Sequence, residues 1–154
     1  MKAYSFRTLC SEAVSVSVCK SGKGIPIYAG MDVLHVDGVT GLIDTNYDGK
    51  IHAALDFLDR GDFVYVHVEA PDECGHMGDA ELKKQAIELF DERIVAPAIE
   101  ATAGTDAVIV VTCDHFTPVA RRKILIRWQR LTERLHIIDG NRNFIKSERR
   151  IKFA

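Results

Sequence analysis

The chain has 154 residues, 47% hydrophobic and 27% charged, with four cysteines and a formal net charge of −2. That length suits about one domain, and the composition excludes a disordered tail, a collagen-like chain and a disulfide miniprotein. No run approaches the roughly 18 apolar residues of a membrane span, residues 1–7 lack the features of a signal peptide, and Cys10, Cys19, Cys74 and Cys113 form no CxxC pair. A cytoplasmic protein with reduced thiols is expected.

In chain order, residues 13–18 alternate valine with small residues like a short strand, and 21–24 read as a loop. Residues 31–36 are a second strand candidate, stopped by Asp37 and Gly38, and 38–46 form a loop. Residues 47–60 place Ile51, Ala54, Leu55 and Leu58 at helical spacing, with Gly61 as the stop. The β-branched and aromatic run 63–68 suits a strand buried on both faces, as in a parallel sheet. Residues 69–78 read as a polar loop. Asp79 can cap a helix running through Leu82, Ile87, Leu89, Phe90 and Ile94 towards Ala103, which Pro97 should kink or divide. Residues 107–113 are a further strand. Alternating strands and helices predict an α/β fold, a partial three-layer α/β/α arrangement around a mostly parallel sheet.

The near-neutral total hides a split at Val119. Residues 1–119 carry 9 basic and 19 acidic groups, whereas 120–154 carry 11 basic and 3 acidic groups. Such asymmetry often marks a nucleic-acid arm or a segment of separate origin. Residues 120–154 are therefore read as a distinct basic tail. As a genuine helix, with Ile124, Ile126, Trp128, Leu131 and Leu135 at partial helical spacing, it would present arginines to an anionic surface.

Two clusters could carry chemistry, and each directly follows a predicted buried strand. One is Glu69-Ala70-Pro71-Asp72-Glu73-Cys74-Gly75-His76; the other is Thr112-Cys113-Asp114-His115. Ligand sites in open α/β sheets lie beyond the carboxyl ends of the strands, so both clusters are expected at one rim. Their two carboxylates and two imidazoles suit Zn²⁺ or Mn²⁺. Asp72 and His76 are four residues apart, with Gly75 available for a sharp turn that would wrap both onto one ion. Asp114 can cap its strand while His115 begins the following loop. His67 and His35 read as core histidines, His52 as a surface residue on a helix, and His136 as a tail residue without partners.

These residues resemble a known family. Ala29-Gly30-Met31, Gly38-Val39-Thr40-Gly41, the run 44–50, the run 62–76, residues 84–91 and Thr112-Cys113-Asp114-His115-Phe116-Thr117-Pro118-Val119 are similar to the archaeal-type cofactor-independent phosphoglycerate mutases of the alkaline-phosphatase superfamily. The resemblance covers residues 29–119. It implies interconversion of 3-phosphoglycerate and 2-phosphoglycerate through a phosphoserine, with two divalent metals (Mn or Zn) and no 2,3-bisphosphoglycerate. It implies that Asp72 and His76 ligate one metal and that Asp114 and His115 ligate the other. Roles for Asn46, Lys50 and Glu69, which also lie in the matched motifs, are left open.

Intact members are far longer, and the nucleophilic serine and the remaining ligands come from regions without a counterpart here. No catalytic residue is therefore assigned, and substrate-binding residues stay unknown. A family histidine that follows the Asp-His pair falls near Leu125, where this chain has none. Residues 1–119 are thus expected to form a partial metalloenzyme domain, and 120–154 to be a divergent or frame-shifted tail. The chain is expected to be a C-terminal part of a glycolytic enzyme, inactive alone, completed by an N-terminal chain or self-associating. The alternatives are a related metal-dependent phosphatase or phosphotransferase acting on another small phosphoester, and a non-catalytic binding remnant. Neither a membrane nor a nucleic acid is expected as a partner.

Overall fold

The structure, a computed structural model, describes residues 13–16, 26–125, 136–140 and 144–146. Strand β1 (Ala13–Val16) is central to a parallel sheet of order β2-β1-β3, flanked by β2 (Asp32–Val33) and β3 (Phe63–Val66). Val14 sits opposite Asp32 and Val64, and Ser15 opposite Val33 and Tyr65. Strand β2 is shorter than the predicted 31–36, and residues 34–36 are irregular. The α/β class stands, with the parallel ladder confined to these three strands. β4 (Val108–Val111) instead pairs antiparallel with β5 (His136–Asp139), and β5 with β6 (Phe144–Lys146). Two stretches of the basic tail are thus strands. Its proposed helical positions from Ile126 to Leu135, like the loop at 21–24, lie outside the described residues.

Helix α1 (Tyr47–Leu58) begins where Asn46 accepts the Gly49 amide on its side chain at 2.8 Å, which satisfies one orphan donor of the first turn. Its apolar stripe buries Tyr47, Ile51, Ala54 and Phe57. Tyr47 and Ile51 pack with Ile94, enclosed by Leu55, Val66, Val68, Leu89 and Phe90. The expectation that β3 is buried on both faces is corrected. Val66 faces this core, but Tyr65 is 41% exposed on the opposite side. β4 behaves similarly, with Val108 and Val110 exposed.

The polar loop read at 69–78 is also corrected, because it is helix α2 (Ala70–Met77). Pro71 lies in the first turn, where its fixed φ suits a helix and its missing N–H costs nothing. Burial does the rest: Ala70 and Cys74 are fully buried against Ala86, with Ile43, Val68 and Leu82 around them. Gly75 is therefore helical. The residue that ends the helix is Gly78, in the left-handed region at φ 77°.

Helix α3 (Ala80–Phe90) starts as predicted, with Asp79 accepting the Leu82 amide at 2.9 Å. A widened π-helical turn (Asp91–Val95) follows, then α4 (Ala96–Ala101), with Pro97 in its first turn. Proline has no N–H and its ring clashes with the carbonyl four residues back, so the division falls where the sequence places it. Arg93, on that widened turn, donates to both carboxylate oxygens of Asp48 at 3.1 and 3.0 Å, tying it to the start of α1.

Candidate functional site

The path from β3 into α2 is set from beneath by Lys50. Its side chain is completely buried, and Nζ donates to the His67 carbonyl at 2.9 Å. His67 is half-buried rather than a core residue, with Tyr65 Oη 3.1 Å from Nδ1 and Glu69 Oε1 3.5 Å from Nε2. Glu69 then occupies the cap position of α2. His35, also read as a core histidine, is corrected more strongly: it is exposed and lies 3.3 Å from exposed Asp37. It follows β2 where the chain is irregular, so no sheet face covers it. His52 is exposed on α1 as expected.

Asp72 and His76 stand one helical turn apart on α2. The four-residue spacing puts both on one face without any loop wrapping round them. Asp72 Oδ2 lies 3.4 Å from His76 Nε2. After β4, the Asp114 carboxylate accepts the His115 amide at 2.8 Å, so it turns the chain at the strand end. His115 then stands between two carboxylates. Its Nε2 is 3.3 Å from Asp114 Oδ2 and its Nδ1 is 3.7 Å from Asp72 Oδ1. The two clusters therefore meet at one rim, although β4 is not a neighbour of β3 in the parallel sheet.

Residues outside the predicted set complete the arrangement. The Thr117 hydroxyl donates to Asp72 Oδ1 and lies 3.3 Å from His115 Nδ1. Lys83, on α3, donates to the Thr117 carbonyl at 2.7 Å. The Arg122 carbonyl lies 3.1 Å from His76 Nδ1. The one signal for Thr117 is a hydroxyl residue two positions after His115. Nothing marks Arg122, because it contributes a main-chain oxygen that any residue could offer.

Two donors each about 2.1 Å from one tetrahedral ion stand about 3.4 Å apart. The Asp72–His76 separation meets that value, and the donor set of carboxylates and imidazoles suits a borderline divalent cation. The convergence is pairwise: among the described residues no three His, Cys, Asp or Glu side chains gather tightly enough to hold an ion. The residues present fit as part of a ligand shell.

Cys74, buried beneath this rim, is held above the ordinary thiol range by burial first and by Asp79 second. The Tyr47 hydroxyl is pushed up by burial, then by Cys74 and Asp44. Both groups keep their protons more tightly folded than unfolded. The stability they contribute is complete below the ordinary thiol range and is lost as pH rises through it and beyond. The urea midpoint is thus expected to hold steady near neutrality and to fall above about pH 9. Peptide mapping after brief iodoacetamide treatment at neutral pH should find exposed Cys113 alkylated and Cys74 protected. Equal labelling of the two would show that the helix pair opens readily.

The chain is 54% identical over 100 residues to the 2,3-bisphosphoglycerate-independent phosphoglycerate mutase of Methanosarcina mazei, covering 64% of this chain and 25% of that protein. It is 40% identical over 108 residues to the protein of the same name from Saccharolobus solfataricus, covering 70% of this chain and 26% of the other. The chain spans about a quarter of the length of the curated relatives it matches. The solved structure of PH0037 protein from Pyrococcus horikoshii superposes with a TM-score of 0.75 at 28% identity, over 80% of this chain and 38% of that one. No helix among the described residues is long and apolar enough to cross a membrane. The Metalloenzyme superfamily matches residues 9–128, past the charge reversal at Val119 and over most of the sequence, and the chain belongs to that superfamily.

Proposed function

We propose that this chain carries part of the two-cation cage of a cytoplasmic phosphoglycerate mutase. The intact enzyme would interconvert 3-phosphoglycerate and 2-phosphoglycerate through a phosphoserine, without 2,3-bisphosphoglycerate. In this reading Asp72 and His76 hold one divalent cation, Mn²⁺ or Zn²⁺, and Asp114 and His115 hold the other. The observation that carries it is the 3.4 Å approach of Asp72 to His76, with His115 bridging to the second carboxylate. The names of the relatives supply the substrate.

Divalent cations at such a rim lower the pKa of a bound hydroxyl and neutralise charge on a transferring phosphoryl group. The chain's own residues orient the donors. Thr117 holds Asp72 Oδ1, leaving Oδ2 towards His76. Asp114 turns the main chain so that His115 points back at Asp72. The nucleophile and the remaining ligands would come from a second chain or a further segment, so mutase activity is expected only on complementation.

The test is a titration of the purified, metal-free chain with Mn²⁺ and Zn²⁺, beside an Asp72→Ala, Asp114→Ala double variant. Saturable binding by the parent that disappears in the variant is the expected result. Equal behaviour of the two would sink the reading, and would leave the motif a relic in this chain.

A further inference from the structure

The segment that follows His115 does more than connect. The Leu125 amide donates to the Phe116 carbonyl at 2.8 Å, closing the stretch into a strap. Within it the Arg121 and Arg122 amides both donate to the Pro118 carbonyl, at 2.9 and 3.0 Å. That tight turn leaves Arg122 at φ 51°, the one non-glycine residue with positive φ among those described. Left-handed backbone in a side chain of this size is uncommon and persists only where the surroundings enforce it.

The surroundings are α2. The Thr117 carbonyl packs against Gly75 and receives the Lys83 amino group, which seats one end of the strap. The Arg122 amide, tied to the Pro118 carbonyl, seats the other end, and its guanidinium lies over Gly78. Between these anchors, the Arg122 carbonyl is aimed at His76 Nδ1, 3.1 Å away. A carbonyl can only accept, so this contact places the imidazole proton on Nδ1. Nε2, the other ring nitrogen, faces Asp72 Oδ2 and is the one left to meet a cation. Histidine ligands are commonly fixed in this way, the ring nitrogen away from the cation donating to a carbonyl or carboxylate.

We propose that Arg122 is a positioning residue whose strained carbonyl locks His76 in the Nδ1–H tautomer, so that Nε2 is presented to a cation shared with Asp72. The proposal rests on the cation-site reading above. It also gives residues beyond Val119 a part in the site.

Two variants separate the carbonyl from the side chain. Arg122→Gly removes the guanidinium but adopts the left-handed turn freely, so the carbonyl stays. Arg122→Val disfavours that turn, because a β-branched residue resists positive φ. ¹⁵N chemical shifts of the His76 imidazole in the full, metal-free chain distinguish Nδ1–H from Nε2–H. The expected result is Nδ1–H in the parent and in Arg122→Gly, with Mn²⁺ affinity within about threefold. Arg122→Val should lose that tautomer and bind Mn²⁺ at least about tenfold more weakly.

Nε2–H in the metal-free parent would overturn the proposal, whether or not Arg122→Val folds. An equal loss of Mn²⁺ affinity in Arg122→Gly would also overturn it, because the guanidinium would then be the operative group. Nδ1–H in a parent that binds no Mn²⁺ would overturn the cation-site reading and with it the purpose assigned to Arg122. The failure of the cation-site reading and the failure of the hydrogen-bond assignment therefore have different signatures.

Discussion

Lys50→Ala is expected to destabilise the chain by about 3 kcal/mol or more. The side chain is completely buried and spans from α1 to the end of β3, where Nζ donates to the His67 carbonyl. Truncation to alanine removes a long buried stem, which on the scale of Met→Ala costs about 2–5 kcal/mol. It also orphans a carbonyl, at about 1–3 kcal/mol. Against these stands the relief of no longer desolvating an amino group, so the lower end of the combined range is the better figure. Lys50→Met keeps the stem volume and loses the hydrogen bond to the His67 carbonyl, so it should cost about 1–2 kcal/mol. Urea unfolding followed by far-UV circular dichroism measures both. A loss below about 1 kcal/mol for Lys50→Ala would mean that the β3–α2 connection is held by its apolar contacts instead.

The elements legible in the sequence are those whose local chemistry and tertiary surroundings agree. Asn46 and Asp79 announce their helices through capping oxygens, and both caps are made. Pro97 marks the break in the long helical stretch. Helix α2 was hidden because Pro71, Gly75, Gly78 and its run of polar residues look like loop punctuation. One is a first-turn proline, one a close-packing glycine and one a helix stop. Only the burial of Ala70 and Cys74 against Ala86 decides among those meanings, and Ala86 comes from another helix. The continuous apolar run at β3 likewise overstates burial, since nothing in Tyr65 itself tells which face a neighbour will cover.

The candidate site divides along the same line. Side-chain donors are visible as residue types, so Asp72, His76, Asp114 and His115 can be picked out before any coordinates. Their pairing is less visible, because it depends on where the chain goes after β4. His115 turns out to stand between both carboxylates instead of belonging to one. Orientation is the least visible level. The Arg122 contact uses a carbonyl, the group every residue carries, and its direction follows from a turn anchored on Pro118 and on α2. The basic composition beyond Val119 suggested a segment foreign to the site. The strap shows that its first residues reach back to the helix bearing His76.

Gly75→Ala sets two large effects against each other, and packing is expected to win. In an exposed helix the change would stabilise by about 0.5–1 kcal/mol, because glycine loses more backbone freedom on folding. Gly75 is buried, however, and a Cβ there would stand 2.5 Å from the Thr117 carbonyl and 2.9 Å from Lys83 Nζ. The lysine end could swing away, but the carbonyl is main chain and belongs to the strap. Relieving the collision means lifting the strap off α2, an overpacking cost of about 1–3 kcal/mol. The net loss should be about 1–2 kcal/mol, or roughly 2–8 °C in Tm for a chain of this size. The same displacement pulls the Thr117 hydroxyl from Asp72 and the Arg122 carbonyl from His76. Mn²⁺ affinity should therefore fall by at least about tenfold in a protein that is still folded at 20 °C or so. Differential scanning calorimetry and a Mn²⁺ titration on one preparation read the two effects separately. A raised Tm with unchanged affinity would show that the strap yields without cost, and that α2 alone holds the ligands in place.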